Sequence, residues 1–386
     1  MKIAIILSTL LVSFVHSQSH LTGIDVSALP NASYQSDRGF KYGGRIHIID
    51  YDDGTLTPFK WNFSLEASNT TKNQVESVAF LDVPHIFGPF SRFDIMLQYN
   101  RLLYDDYYGI GNDVADHSES PIKFGSSSPM DSRYHNFKSQ TLALVWNIQL
   151  PLKDQLKILT GLGFYKRAIT VFDPPSKLAQ DSPVGMAGGY SNYIRLGMIY
   201  DTRNEETTPT QGVWSELLLE MAHSFLSSDY HYRRMTLTDR RYFAIFPNLV
   251  FAQRILFEVM PGNPPFYEMS VLGHSFKKQE GLGGVYSLRG IPRHLFIGPH
   301  KIVANFEMRF KVTARTILNQ PLTFYVHAFS DAGRVWTDNH LKIDHFHTTR
   351  GAGIHVQWKK DVVGALDIGF STYKNFAIYT SFGNLF

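Results

Sequence analysis

Polar and apolar residues alternate with a period of two along this chain, over stretches of about ten residues that recur from end to end. Lys60, Asn62, Ser64 and Glu66 alternate with Phe59, Trp61, Phe63 and Leu65. Thr141, Asn147 and Gln149 share one parity, and Leu142, Leu144, Trp146, Ile148 and Leu150 the other. From Lys301 to Val312 one parity carries Lys301, Asn305, Glu307, Arg309 and Lys311, the opposite one Ile302, Ala304, Phe306, Met308, Phe310 and Val312. Gly353, His355, Gln357 and Lys359 alternate with Ala352, Ile354, Val356 and Trp358. Successive side chains of a strand point to opposite faces, so each stretch has one oily and one polar surface. Strands of a transmembrane barrel have this pattern and length, apolar toward lipid and polar toward the lumen. A soluble sandwich alternates too, but its strands are shorter, and here the apolar parity is continuous and rich in Trp, Phe and Leu. Between Tyr230 and Ile245 charges fall on both parities (Arg233, Arg234, Asp239, Arg240, Arg241), and the pattern fails there.

Sixteen such strands can be placed between residues 23 and 386. An even number returns both chain ends to one side of the membrane. Asp52–Leu56, Pro151–Asp154, Pro247–Asn248, Leu318–Gln320 and Lys360–Asp361 read as tight turns. Tyr104–Tyr134, Val171–Tyr190, Pro261–His300 and Ala332–Thr349 read as long loops. Short connections on one rim and long ones on the other are the asymmetry of an outer-membrane barrel. The fold class expected is therefore all-β, a 16-stranded antiparallel transmembrane β-barrel. Lys2 and the apolar run Ile3–Val15, with small residues at Val15 and Ser17, read as a cleavable export signal over residues 1–17, leaving 18–386 as the barrel. No later stretch is apolar for long enough to be a membrane helix. Cysteine is absent and the net charge is +3, which excludes disulfides and thiolate chemistry and argues against nucleic acid.

Three residues from separate stretches form the candidate site. Arg289 lies in Leu288-Arg289-Gly290, within a long loop that also carries Gly281, Gly283 and Gly284. Glu307 lies on the following strand, and Phe329, Asp331 and Gly333 on the one after. Parity turns Glu307, Phe329 and Asp331 inward, so a loop arginine folding back would meet two carboxylates and lock the loop with its donor fork. Glu307 reads equally well as a solvated lumen carboxylate. Further motifs are Tyr107-Tyr108-Gly109-Ile110-Gly111-Asn112, the turn residues Asp201 and Arg203 with Pro209 and Gly212, and the end Tyr379–Phe386, including Gly383 and Phe386. Asp201 and Arg203 read as a pair holding a hairpin turn.

In this order, these stretches resemble the bacterial surface-antigen barrels, the BamA/TamA-like outer-membrane family. The resemblance implies a barrel with the arginine–glycine loop folded into its lumen, set in the bacterial outer membrane. It implies assistance to protein insertion or translocation through a weak seam between first and last strands, without a cofactor. The partners implied are outer-membrane lipids, client outer-membrane proteins and accessory assembly subunits, and the closing signal would be Gly383 and Phe386. Family members usually carry POTRA domains before the barrel, and the few residues between Gln18 and the first strand leave no room for one.

Other chemistry finds little support. No G-x-S-x-G, H-E-x-x-H or P-loop sequence occurs, and no resident metal is expected. His340, Asp344, His345 and His347 cluster in a loop, where clustered histidines are more often solvated than metal-bound. A passive pore or structural barrel is the alternative function, and a barrel hydrolase a third reading.

Overall fold

In a computed structural model the described residues are 22–36, 38–56, 58–114, 134–172, 176–317, 320–358, 362–373 and 375–382. The expected leader and the closing signal at Gly383 and Phe386 lie outside them. The chain forms a closed, 16-stranded antiparallel barrel. Its first seven staves are β1 (Ile24–Gln35), β2 (Gly39–Asp50), β3 (Trp61–Thr70), β4 (Val75–Pro84), β5 (Arg92–Asp106), β6 (Asn136–Lys153) and β7 (Leu156–Val171). The next stave is built from two pieces, β8 (Gly188–Tyr190) and β9 (Tyr193–Asp201), both paired with β7. Then come β10 (Gly212–Ala222), β11 (Tyr232–Phe246) and β12 (Leu249–Val259). Two short strands, β13 (Val271–Leu272) and β14 (Gln279–Glu280), belong to the connection that follows. The barrel resumes with β15 (His300–Ile317), β16 (Gln320–Trp336), β17 (His347–Trp358), β18 (Val362–Phe370) and β19 (Ala377–Phe382), and β19 returns to β1.

Period-two alternation turns the predicted parities outward and inward. Leu97, Leu142, Leu219, Phe310, Val326 and Ile354 are exposed on the outer face, as the solvent there is lipid. Thr141, Asn147, Asn305, Glu307 and Asp331 are buried inside. The stretch where alternation was expected to fail is a regular stave. In β11, Arg234, Thr236, Thr238, Arg240 and Tyr242 are buried on the lumen side. The outward charges are reduced to Arg233, Asp239 and Arg241, of which the last two pair at 2.8 Å, with Ser215 donating to Asp239 at 2.6 Å. A charge pair satisfied locally costs less against lipid than a lone charge.

Connection lengths are less regular than expected. Three residues separate β1 from β2 and four (71–74) separate β3 from β4 on the long-loop rim, and 202–211 makes a ten-residue turn on the opposite rim. The loop expected over Ala332–Thr349 is narrowed to 337–346, because β16 continues to Trp336 and β17 begins at His347.

The connection between β12 and β15 fills the lumen. It carries helix α2 (Phe266–Met269), after the earlier α1 (Lys177–Asp181). Leu272, Leu282, Leu288, Ile291, Leu295 and Phe296 of this plug pack on Leu256, Val303 and Val335 of the wall. The barrel interior thus contains an apolar core of the soluble kind, and wall positions facing it are apolar despite their lumen parity.

Candidate functional site

The wall made by β15, β16 and β18 brings three carboxylates to one level of the lumen: Glu307, Asp331 and Asp367. Plug residue Arg289, fully buried, meets all three. Its Nε and Nη2 donate to Asp331 Oδ2 and Oδ1, each at 3.0 Å, in a two-toothed fork. Its backbone N–H adds a bond to Asp331 Oδ2 at 3.1 Å. Nη1 donates to Glu307 Oε1 at 2.7 Å and to Asp367 Oδ2 at 3.3 Å. Burial works against the Arg289 charge, but the Asp331 and Glu307 carboxylates outweigh it and raise its pKa above the usual arginine range.

The neighbours of this cluster fix its geometry. The guanidinium carbon lies 3.6 Å from the centre of the Phe329 ring. That ring occupies space left by Gly351, where a Cβ would stand 2.3 Å from Phe329 Cζ. Glu307 Oε2 accepts from Arg309 Nε at 2.7 Å, and Asn305 Nδ2 donates to Asp331 Oδ1 at 2.8 Å and to the Ser287 carbonyl at 2.6 Å. Gly290 has φ of 112°, and a Cβ there would lie 3.0 Å from the backbone of Gly369 and Phe370. Gly290 N–H donates to the Tyr379 hydroxyl at 3.2 Å, and Ser371 Oγ donates to the Gly290 carbonyl at 2.7 Å. Gly333 leaves room for Leu282 and Leu288, whose methyl carbons would lie 3.2 and 3.3 Å from a Cβ there.

A second anchorage, on the wall from β9 to β15, was missed by sequence reasoning. Glu220 accepts from Arg195 Nη2 at 2.6 Å and from Arg234 Nη1 at 2.9 Å. Arg234 Nη2 continues to Glu268 of the plug at 2.9 Å, and Lys278 of the plug reaches the same carboxylate at 2.7 Å. Glu258 is paired with Lys301 and accepts the plug's Gly273 N–H at 2.7 Å. The available signal was parity: Arg195, Glu220, Arg234, Glu258 and Lys301 are all wall charges that face inward. A third contact is Arg293, which donates to Asp105 of β5 at 3.0 Å. Burial pushes the adjacent His294 imidazole down to about 4, against the raising influence of Asp105.

The other predicted motifs divide. In the turn, Arg203 Nε and Nη2 donate to Asp201 at 3.0 and 3.1 Å, and the guanidinium stacks 4.2 Å from Trp214. Pro209 is buried within that turn and Gly212 opens β10. The turn also crosses the barrel mouth, since Thr208 accepts from Gln357 of β17 at 3.1 Å. The stretch Tyr107–Asn112 packs on the returning limb of the plug: Gly111 N–H donates to the Ile297 carbonyl at 2.8 Å. His347 is stacked on Phe296 at 3.7 Å and hydrogen-bonded to the Tyr373 hydroxyl at 2.8 Å, while Asp344 pairs with Arg334. His340, Asp344, His345 and His347 are therefore not gathered as a ligand set.

The Omp85 superfamily domain matches residues 60–374. BamA from Haemophilus ducreyi lacking POTRA domains 1–3 is similar in structure, with a TM-score of 0.59 and 13% identity, over 94% of this chain and 70% of that one. CdiB from Escherichia coli aligns with a TM-score of 0.58 and 10% identity, over 95% of this chain and 63% of that one. CdiB from Acinetobacter baumannii gives 0.56 and 12%, over 94% and 60%. At these identities the likeness is one of fold. No curated protein matches the chain.

Proposed function

The chain belongs to the Omp85 superfamily, and from that premise we propose that it assists protein insertion or protein translocation at the bacterial outer membrane, together with separate partner subunits. The observation that carries this reading is the seam. Among the described residues, β1 and β19 pair at Gln35 and Tyr379, flanked by hydroxyl contacts of Ser36 and Thr380. Residues Ile24 to Tyr34 have β2 as their described ladder partner. By the same register Ser33 and Tyr34 face Ser381 and Thr380, and between these described residues the ladder does not continue. In lipid, backbone groups at such a weakly paired edge find no solvent, so a client strand adding there would gain ladder bonds. No cofactor enters this reading, because the folding of the client drives the step.

The test is a reversible lock. Tyr34 and Thr380 stand opposite in the register set by Gln35 and Tyr379, and a Tyr34→Cys, Thr380→Cys pair would close the seam on oxidation. The oxidised barrel should stay folded yet stop supporting client insertion or passage, with recovery on reduction. Undiminished client handling by the crosslinked barrel would overturn the reading. The pore alternative is disfavoured by the plug, whose charged and apolar side chains occupy the lumen.

A further inference from the structure

One group of side chains on the lumen wall borders the Arg289 cluster and shares Asp367 with it. Among the described residues, His327 of β16, His355 of β17 and Asp367 of β18 are the group whose ligand atoms all lie within 4.8 Å of one another. All three are buried. His327 Nε2 is 3.0 Å from Asp367 Oδ1, and His355 Nε2 is 3.9 Å from the same oxygen. Apart from that contact with each other, neither His327 nitrogen nor Asp367 Oδ1 has a hydrogen-bond partner. Polar atoms so poorly satisfied in a buried place have lost the bonds they made to water, and a cation would satisfy them together.

The register explains how residues from three strands meet. His327 pairs with Gly353, and Gly353 pairs in turn with Asp367, so the three occupy one row across the sheet. His327 and Asp367 stand two strands apart and lean toward each other over the glycine. A Cβ at Gly353 would lie 2.3 Å from Asp367 Oδ1 and 2.4 Å from His327 Cε1, so any larger residue would fill the place where they converge. His355, two residues along β17, closes the third side.

We propose that His327, His355 and Asp367 form a mononuclear site for a divalent transition metal of the zinc class. Two imidazoles and a carboxylate are borderline donors suited to Zn²⁺, Co²⁺ or Ni²⁺ rather than to Ca²⁺ or Mg²⁺. Tetrahedral bonds of ~2.0–2.1 Å place ligand atoms about 3.3 Å apart, and the observed 3.0 and 3.9 Å lie on either side of that value. Three protein ligands leave one position for water. Asp367 is oriented for the task, because its other oxygen, Oδ2, already accepts from Arg289 at 3.3 Å. The metal would join β16, β17 and β18 across their lumen face, directly beside the Arg289 cluster. The residues themselves carried no such expectation when read by spacing, since the three ligands lie on three different strands.

The experiment uses the full barrel in detergent micelles, stripped with chelator, with heat-modifiable migration as the check of fold. Titration with Co²⁺ should give ligand-field absorption saturating at one equivalent and displaced by Zn²⁺. His327→Ala and His355→Ala should each weaken binding at least about tenfold, and Gly353→Ala should do so with every ligand retained. His340→Ala and His345→Ala should leave it unchanged. If the ligand variants migrate unfolded, X-ray absorption on the wild-type zinc form decides by itself. A first shell with two imidazoles supports the site. A shell without imidazole, no uptake above the His327→Ala, His355→Ala background, or a signal that leaves with His340 and His345 overturns it.

Discussion

Arg289 makes contacts with Asp331, Glu307 and Asp367, and a smaller or rounder cation could not reproduce all three together. Removing it as Arg289→Ala leaves three buried carboxylates short of their cation, a loss on the order of 3–5 kcal/mol. Planar-bilayer recordings should then show increased leak, and the plug should become open to protease. Arg289→Lys should recover only part of this, because an ammonium is a point charge without the fork. Gly290→Ala should loosen the plug as well, through an unfavourable positive φ and a clash with Gly369. His294 makes docking depend on pH. Its pKa falls from 6.5 to about 4 on burial, so the undocked form binds the extra proton between those values. Plug protection should therefore weaken as pH drops through that window and be steady above 6.5, as limited proteolysis across pH would show. Parity and the arginine–glycine motif made Arg289, Glu307 and Asp331 legible in the sequence. Asp367 was not, being one acid in the otherwise apolar stretch Val362–Phe370, and only strand pairing brings it beneath the loop.

At the scale of elements, the staves could be read because lipid outside and polar lumen inside impose opposite demands on alternate residues. Reading failed where the demand was mixed. Outward Asp239 and Arg241 hid the inward series of β11, although the two satisfy each other locally. The inside of the plug was illegible for a related reason: its apolar core has no regular period, and its wall partners Leu256, Val303 and Val335 break the polar-lumen rule. The inward charges of β9 to β12 have an energetic consequence that can be measured. Arg234 links Glu220 of the wall to Glu268 of the plug. Arg234→Ala should speed amide hydrogen exchange in the 263–280 limb while leaving the Arg289 side protected. Equal deprotection of both limbs would mean that the plug moves as one rigid unit.

For the whole molecule, the plug is held against four faces of the wall: by Arg289 to β15, β16 and β18, by Glu268 and Lys278 to β10 and β11, by Lys277 to Glu76 of β4, and by Arg293 to β5. The intact barrel should accordingly conduct poorly, and replacing residues 263–298 with a short flexible linker should open a large, steady conductance. A plugless barrel as tight as the parent would show that the turn over residues 202–211 alone closes the channel. Tyr379 touches both the seam and the plug. Its backbone faces Gln35 where last strand meets first, and its hydroxyl accepts from Gly290 at the tip of the plug. On the proposed function, parting the two strands would tug on the stopper itself, gearing sideways release to clearance of the central passage as a door latch is geared to its bolt.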